Sequence, residues 1–337
     1  MLTVLLTWKN HRSNNTQASL GKQDDFVREK DCSFVGSIRS GWQNKQRTEE
    51  NAMKCYENQT YDQERALYGI HDAMVKHCTF AGPADGESAL KETAHLQIQD
   101  CSFLLRYPLW HLDTGTLTGC TMTDTCRAAL WYDNDLRIER CILGGIKALR
   151  ECDHTVMNAC MVNSTEFGWF CRDLQVKDCE LTSEYPFLYS RDMEFDNLRM
   201  KAKYSFQYAE NVVIRNSVLD TKDAFWHGKN ITVTDSVVKG EYLGWYSENI
   251  TFVRCKIIGT QPLCYARGLV MEDCEMEGTD LSFENSDVRA TIRGGILSVK
   301  NPRNGSIAAD EIGEILLDEY RLPGADCIIT ERKKAGE

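Results

Sequence analysis

The sequence predicts an all-β protein, a single-stranded right-handed parallel β-helix of about eleven coils with a period of 19 residues. Three observations predict this solenoid: small side chains return at a fixed interval, short apolar alternations precede them, and Asn, Asp or Gly precedes most of the alternations. A unit this short, with no helical pattern, is too small for a propeller blade or a helical repeat. It fits one β-helix coil, and such coils stack about 4.8 Å apart.

The first repeating feature is a column of small residues, called the Cys column below. Each step between its members is 19 residues except the 21-residue step from Cys120 to Cys141, and Cys78 begins the series one step earlier. Because Cys is small and exchanges here with Ser and Leu, we expect a stacked interior ladder rather than redox or metal chemistry. The members are Cys101, Cys120, Cys141, Cys160, Cys179, Leu198, Ser217, Ser236, Cys255 and Cys274.

Strands and turns are predicted by the residues just before the Cys column. Pairs such as Leu136/Ile138 and Ile231/Val233 show the period of two that marks a strand with one buried face. A turn column precedes these pairs, and its residue types tolerate a left-handed backbone, which predicts a tight turn in every coil. Its members are Asp135, His154, Asp173, Asp192, Asn211, Asn230, Asn249, Gly268 and Asp287.

Two further points concern the fold class. A leucine-rich repeat has a similar length, but its LxxLxLxxN pattern is missing. The right-handed sense is expected from the general chirality of parallel crossovers, not from this sequence in particular.

Neighbouring Cys residues are close enough for a disulfide in principle, but a reducing compartment would keep them as thiols.

The repeat divides the chain into four parts. Regular coils are expected over residues 78–293, with an N-terminal cap at 53–77 and a C-terminal cap and tail at 294–337, because a solenoid must cover its exposed ends. Residues 1–52 are polar and lack the period, which indicates a disordered leader or a chain whose true start is Met53. A degenerate extra coil around Cys32 is a less favoured alternative.

Composition and charge argue against several classes of function. The chain has 39 Lys+Arg against 50 Asp+Glu, so its net charge of -11 makes nucleic acid or an anionic membrane a poor partner. The N-terminal apolar run is too short for a signal peptide, and no stretch approaches the roughly 18 apolar residues of a membrane span. Fifteen Cys without a secretion signal indicate a cytoplasmic protein with free thiols. With no zinc-like Cys/His spacing, no metal or other cofactor is expected.

An aromatic strip lies about ten residues before the Cys column, and it consists of two adjacent positions. The residue before the strip is apolar or small in every coil, so it should point inward, and Lys91, Arg150 and Gln207 should then point outward. Strict alternation would turn the second position inward unless the strand ends in a corner, and both arrangements stay open. The inner strip column is Lys91, Trp110, Trp131, Arg150, Trp169, Leu188, Gln207, Trp226, Trp245, Cys264 and Phe283. The outer strip column is Glu92, His111, Tyr132, Glu151, Phe170, Tyr189, Tyr208, His227, Tyr246, Tyr265 and Glu284.

The strip has a functional and a structural interpretation. Aromatic faces suit sugar rings, and the polar residues between them could fix a ligand's orientation. Alternatively, the aromatic residues stack down the solenoid and only stabilise it, while Lys91–Glu92 and Arg150–Glu151 are ion pairs that satisfy themselves. The two interpretations are evenly balanced for Trp and Tyr, and the charged residues favour function.

Spacing restricts the chemistry of the strip. Glu92 and Glu151 lie three coils apart, roughly 14 Å, which is too far for the two carboxylates of a glycoside hydrolase. An enzyme with this strip is therefore expected to be a lyase or isomerase using acid–base chemistry. The expected catalytic residues are Glu92, His111, Arg150, Glu151 and His227. The expected substrate-binding residues are Lys91, Trp110, Arg127, Trp131, Tyr132, Gln207, Tyr208, Trp226, Trp245, Tyr246, Tyr265 and Glu284.

Several motifs carry a resemblance to a known family. In order they are GESALKE (86–92), YPLWH (107–111), RAALWY (127–132), YSFQY (204–208), KDAFWH (222–227), EYLGWYS (241–247), GTQPLCYA (259–266) and SVKNP (298–302). From about residue 55 to the C-terminus the chain resembles the bacterial domain-of-unknown-function family 3737, which is similar to pectin-lyase-like right-handed parallel β-helix proteins. The resemblance implies the fold but no catalytic residues. Polysaccharide lyases of that superfamily are mostly exported, so the missing signal does not favour extracellular polymer cleavage.

The sequence therefore predicts a cytoplasmic β-helix protein that binds a carbohydrate or sugar-derived ligand, including small sugar acids, along the strip. The competing prediction is a non-catalytic scaffold whose aromatic face docks a protein or a second copy of the chain, so a homo-oligomer stays open. The two differ in one structural respect, because a buried outer column would leave no ligand site.

Overall fold

A computed structural model describes residues 53–82 and 87–332 as an all-β parallel β-solenoid of about 14 turns. The predicted parallel β-helix is confirmed, while eleven coils is too low, because parallel pairing continues at both ends of the regular repeat. Lys54–Glu57 pairs with His71–Lys76, and Asn304–Ala309 pairs with Ile328–Glu331. None of the described residues forms a helix long and apolar enough to cross a membrane. The leader expected at 1–52 lies outside the described residues.

The N-terminal coils contain nine strands and a short 3-10 helix at Asp124–Cys126. Each strand pairs in parallel with its equivalent in the next coil. The strands are β1 (Lys54–Glu57), β2 (Thr60–Tyr61), β3 (His71–Lys76), β4 (Thr79–Phe80), β5 (Leu90–Gln99), β6 (Ser102–Phe103), β7 (Leu109–Thr118), β8 (Thr121–Met122) and β9 (Leu130–Trp131).

The central coils follow the 19-residue period most regularly. Their strands are β10 (Asn134–Glu139), β11 (Ile142–Gly144), β12 (Leu149–Arg150), β13 (Asp153–Asn158), β14 (Met161–Asn163), β15 (Glu166–Phe167), β16 (Arg172–Lys177), β17 (Glu180–Thr182), β18 (Tyr185–Pro186), β19 (Arg191–Asp196), β20 (Arg199–Tyr204), β21 (Glu210–Arg215) and β22 (Val218–Lys222).

The C-terminal coils continue the same pairing and then lose the 19-residue period. Their strands are β23 (Lys229–Thr234), β24 (Val237–Lys239), β25 (Glu248–Val253), β26 (Lys256–Ile258), β27 (Leu269–Glu277), β28 (Asp287–Arg293), β29 (Gly295–Lys300), β30 (Asn304–Ala309), β31 (Glu311–Leu316) and β32 (Ile328–Glu331). Of the strands β1–β32, 28 belong to one parallel sheet, and the other four form two small sheets, β15 with β18 and β29 with β31.

The core is a stack of identical positions contributed by successive coils. Ile231 pairs in register with Val212 on one side and with Ile250 on the other, and all three side chains are buried. Burying one apolar face of each strand in this way is worth about 1.5–3 kcal/mol for each large side chain.

The turn column has the predicted left-handed backbone, with φ of 52° at Asp135 in β10 and 53° at Asn230 in β23, and among its members only Asp287, the first residue of β28, departs from it. The Asn230 side-chain amide N–H donates to the side-chain oxygen Oδ1 of Asn211 at 3.1 Å, and the Asn249 side-chain amide N–H donates to Asn230 Oδ1 at 3.2 Å. The turns are therefore tied together along the solenoid by side-chain hydrogen bonds.

The Cys column is the predicted interior ladder of free thiols. The Cys160 thiol donates to the carbonyl of Asn158 two residues earlier at 3.3 Å, and the Ser217 hydroxyl makes the same bond to Arg215 at 2.6 Å. Cys and Ser exchange in this column because both satisfy a carbonyl at the end of the strand.

Burial predicts which thiols react in the native protein. Under alkylation by iodoacetamide, exposed Cys55 should react, while Cys160 and Cys264 should react only after unfolding. At Cys264, burial also raises the thiol pKa to about 12, which suppresses the reactive thiolate. Mass spectrometry of peptides before and after denaturation measures this order, and rapid native labelling of Cys160 would contradict the buried ladder.

Candidate ligand-binding strip

The outer strip column faces outward because the backbone turns there. Tyr189, Tyr208 and Tyr246 have φ of 54°, 54° and 57°, so the strand ends in a left-handed corner at each of them. Their exposures are 50%, 43% and 46%. The corner lets two consecutive side chains, one in each strip column, point away from the core. The apolar residue before the strip is buried, as expected, with Phe206 and Phe225 as examples.

Six rings of the outer column form one continuous stack over successive coils. The interplanar angles are 2–17°, so each ring face is turned towards its neighbour. The exposed surface of the stack therefore consists of ring edges and tyrosine hydroxyls rather than open ring faces. The centroid distances are 5.5 Å for Phe170–Tyr189, 4.7 Å for Tyr189–Tyr208, 4.8 Å for Tyr208–His227, 5.2 Å for His227–Tyr246 and 4.9 Å for Tyr246–Tyr265.

The inner strip column makes coil-to-coil hydrogen bonds that the sequence did not reveal. The Trp226 indole N–H donates to the backbone carbonyl of Tyr242 in the next coil at 2.6 Å, and Trp245 donates to Gln261 at 2.8 Å. Trp226 and Trp245 also stack on each other at 5.5 Å. These half-buried indoles fasten each coil to the next one and form the floor of the strip.

A third column, missed by sequence reasoning, borders the strip on its N-terminal side. Tyr185 and Tyr204 stack at 5.0 Å in successive coils, and Tyr242 contacts the Trp245 ring at 5.5 Å. We call it the upstream column, and its residues recur at the same 19-residue interval, which is the signal that could have found it. Together the columns form a shallow trough. Members of the upstream column are Tyr185, Tyr204, Asp223, Tyr242 and Gln261.

At the N-terminal end of the strip, the structure brings together two of the predicted catalytic residues, Glu92 and His111. His111 Nδ1 lies 3.3 Å from a Glu92 carboxylate oxygen, and both side chains are nearly half exposed. The Lys91 ammonium lies 3.9 Å from the Trp110 ring centroid, which is a cation–π contact, and Trp110 stacks on Trp131 at 5.4 Å.

Arg150 is the centre of a network of ion pairs and ring contacts in which its charge is already paired. Its guanidinium lies 3.0 Å from Glu151 and 3.4 Å from Glu166, and it packs 5.3 Å from the Trp169 ring centroid. The Glu151 carboxylate also accepts the Trp131 indole N–H at 3.4 Å. Because carboxylates already pair with the guanidinium, a ligand carboxylate would have to displace one of them.

Other predicted binding residues near this network occupy its edges. Arg127 is exposed at the C-terminal end of the 3-10 helix with φ of 60°, and its carbonyl accepts the Lys147 backbone N–H at 2.9 Å. Tyr132 is 44% exposed and stacks on the neighbouring Trp131 ring at 5.3 Å.

The strip ends in a second charged network, and its register differs from the expectation. Phe283 is buried. The backbone shows that Glu284 takes the inner-column position. In the preceding coil the carbonyl of the inner-column residue Cys264 accepts the Tyr246 N–H, and here the Glu284 carbonyl accepts the Tyr265 N–H in the same way. The predicted columns were therefore shifted by one residue in this coil. Glu284 lies 3.0 Å from Lys300. Burial, followed by the Glu284 charge, raises the pKa of Tyr265 to about 12.

The five predicted catalytic residues lie in three separate places. Glu92 contacts His111, and Arg150 contacts Glu151 two coils later, roughly 10 Å away along the solenoid. His227 lies four coils further, inside the ring stack, where burial lowers the imidazole pKa and favours the neutral ring. The strip thus does not assemble them into one active centre. Among the described residues, no group of His, Cys, Asp and Glu is arranged to hold a metal ion.

One buried acid lies directly behind the strip. Asp133 is 1% exposed, and one carboxylate oxygen accepts the Leu112 N–H at 2.8 Å, while the other is buried without a hydrogen-bond partner. Burial raises the pKa of this carboxyl well above its usual value. Burial therefore favours the neutral form of Asp133 at the back of the Trp131–Tyr132 corner.

A cleft outside the strip is a second candidate ligand site, but a less specific one. It crosses the outward face of β10, β13, β16, β19 and β21 and is lined by both cations and carboxylates. Arg215 lies 3.4 Å from Glu194, and Arg137 lies 3.8 Å from Glu139, so the charged groups at its two ends are paired.

Comparisons with known proteins give one family and several distant structures. A family described as "Protein of unknown function (DUF3737)" matches residues 54–330. A search of curated proteins finds no match.

Among solved structures, PfbA, a surface adhesin of Streptococcus pneumoniae, has 11% identity and a TM-score of 0.33, with 79% of this chain and 75% of that chain covered. The A-module of mannuronan C-5 epimerase AlgE4 from Azotobacter vinelandii has 9% identity and a TM-score of 0.32, covering 82% and 89%. The tailspike of E. coli bacteriophage HK620 has 10% identity and a TM-score of 0.34, covering 77% and 59%. These likenesses are too distant to transfer residue roles.

The indole hydrogen bonds of the inner column predict a difference between two Trp→Phe variants. Trp226→Phe should lower the free energy of unfolding by about 1 kcal/mol, because the Tyr242 carbonyl loses its donor. Trp110→Phe is the matched control, since the Trp110 Nε1 is buried without a partner and its removal should cost nothing. Chemical denaturation of both variants tests this, and equal losses would contradict the fastening role.

The buried carboxyl predicts a pH-dependent gain in stability for Asp133→Asn. The unfolded chain ionises Asp133 above about pH 4, while the raised carboxyl pKa lets the folded chain hold this proton to a higher pH, so the natural protein loses stability as pH rises from about 4 towards the folded-state pKa. The variant should therefore gain more at pH 7.5 than at pH 4, by about 1.4 kcal/mol for each unit of the pKa shift. Thermal unfolding at both values measures this, with exposed Asp220→Asn as the control. A gain independent of pH would contradict it.

Proposed function

The chain belongs to the DUF3737 family, and we propose that it binds a carbohydrate along the aromatic strip. The observation that carries the proposal is the outward ring stack, whose tyrosines at 189, 208 and 246 are 43–50% exposed. An exposed row of aromatic side chains on a protein surface marks an interaction site.

The chemistry of the trough fits a carbohydrate. Sugars present hydroxyl groups beside small apolar patches, and the trough offers both kinds of group, since the coils of the exposed Tyr189 and Tyr208 lie between those of the half-buried Trp169 and Trp226. Polar groups placed among aromatic rings are what fixes a small ligand's orientation in a site.

The trough is also preorganised for binding. Tyr208 stacks between Tyr189 and His227, and its backbone N–H donates to the Trp226 carbonyl at 2.8 Å. Rings held in this way lose little conformational entropy when a ligand binds, so more of the contact energy goes into affinity.

Lyase or isomerase chemistry stays a prediction that rests on the Glu92–His111 pair. A carboxylate 3.3 Å from an imidazole can orient that ring towards a substrate proton, which is the arrangement of a general acid or base. The cytoplasmic location also stays a prediction.

The competing function is a scaffold that docks a protein or a second copy on the same exposed rings. The closed ring faces favour it, because edges and hydroxyls of tyrosine also suit protein interfaces. Binding of glycans and self-association are separate measurements, so they distinguish the two functions.

A glycan array followed by calorimetry tests the proposal on the purified chain. Tyr189→Ala with Tyr208→Ala should weaken binding of any glycan found at least tenfold, since both exposed rings are removed from the trough. The double variant should fold, because these side chains lie outside the core. The matched control is Met161→Ala with Ile142→Ala, which removes exposed apolar side chains outside the strip.

Glycan binding that is lost in the tyrosine variant and kept in the control supports the proposal. If no glycan binds, or if the tyrosine variant changes only the oligomeric state by light scattering, the carbohydrate function is wrong and the scaffold function is favoured.

A further inference from the structure

The floor of the strip has a break between Trp169 and Trp226, where the inner column carries no aromatic or guanidinium group. Trp226 stacks on Trp245 on one side, but on its other side the inner column holds Gln207 and then Leu188, before Trp169 follows. Trp169 packs against the Arg150 guanidinium at 5.3 Å on its N-terminal side. Leu and Gln cover less area than an indole, so the Trp169 and Trp226 faces that look into the break are less covered than the other faces.

The break is bordered by tyrosines on both sides. On the upstream side Tyr185 and Tyr204 stack at 5.0 Å, and on the outer side Tyr189 and Tyr208 stack at 4.7 Å. These four tyrosines belong to the two coils whose inner-column residues are Leu188 and Gln207. The two coils that have small side chains in the floor are therefore the ones that have a tyrosine on both sides of the floor.

The dimensions of the break suit a single sugar ring. Trp169 and Trp226 are three coils apart, roughly 14 Å along the solenoid. Leu188 and Gln207 are half-buried and occupy the bottom of this interval. The Gln207 amide N–H donates to the Asp223 carbonyl at 3.1 Å, the bond that an indole makes in other coils.

The charges around the break are already paired. Lys203 lies 3.0 Å from Glu184, and Lys222 lies 3.1 Å from Glu241. Asp223, the remaining acid beside the break, is nearly buried, and burial raises its carboxyl pKa. An anionic ligand would have to displace a carboxylate and approach a chain of net charge -11.

We propose that the break at Leu188 and Gln207 is the subsite in which one uncharged pyranose ring of the carbohydrate stacks against an indole face. This inference rests on the proposed carbohydrate binding and narrows it to a place and a ligand class. The indoles supply the ring contact, and the four tyrosine hydroxyls bind the sugar hydroxyls.

Filling the break tests the subsite without removing a contact of the fold. Gln207→Trp should close it, because Trp occupies the equivalent position in neighbouring coils and its N–H can make the same bond to Asp223. Thermal unfolding should show an unchanged or higher midpoint. Leu188→Trp is the second variant, and Thr232→Trp, on the outward face of β23, adds the same ring elsewhere as the control.

The probes are cellotetraose, maltotetraose and mannotetraose, with tetragalacturonate and tetramannuronate as charged counterparts, measured by tryptophan fluorescence and calorimetry. The natural chain should bind at least one neutral probe more tightly than the charged ones. Gln207→Trp and Leu188→Trp should each weaken it at least tenfold, while Thr232→Trp should not.

The outcomes separate this inference from the proposed function. Neutral probes that bind both filled variants as tightly as the natural chain would overturn the subsite and leave carbohydrate binding standing. Tighter binding of the charged probes would overturn the uncharged ligand class. Absence of binding by every probe and by the glycan array would overturn the proposed function and this inference with it.

Discussion

The left-handed backbone at the end of the strip strand is the constraint on which the rest of the surface depends. An L-residue in this conformation costs about 1–2 kcal/mol, and here bulky residues such as Tyr189 and Tyr208 adopt it coil after coil. Each corner is held because its backbone N–H donates to the next coil, from Tyr189 to the Gln207 carbonyl at 3.1 Å, for example. The repeated cost is thus offset by coil-to-coil hydrogen bonds and ring stacking, and its result is a row of outward rings.

The two strip columns divide structural and binding roles between neighbouring residues. The Trp226 indole N–H donates to the Tyr242 carbonyl and its ring stacks on Trp245, so the role of Trp226 is mainly structural. The adjacent His227 lies in the exposed stack between Tyr208 and Tyr246. Removing the Trp226 indole is therefore expected to destabilise the fold, whereas removing an outer ring takes away mainly solvent-exposed surface.

Charge on the strip is balanced locally, which argues against a single catalytic centre. Arg150 is enclosed by Glu151, Glu166 and aromatic rings, and Glu284 is held by Lys300. Lys91 rests on the Trp110 ring. The charged side chains that interrupt the aromatic columns are thus already bound to other groups of the protein. Of the strip's charged pairs, only Glu92 with His111 keeps the exposure that a proton-transfer pair needs.

The sequence by itself determined the period, the parallel β-helix, the inward Cys ladder and the residues of the two strip columns as far as Tyr265, because each of these follows from side-chain type at a fixed interval. It also placed the left-handed turns at Asn and Asp, which favour that conformation locally. Only the tertiary structure decided where Tyr189 and Tyr208 point, since no residue type there favours a left-handed corner and the next coil imposes it. The bond of Trp226, the one-residue shift at Glu284, the buried Asp133 and the break at Gln207 likewise depend on which residues of successive coils are brought into contact.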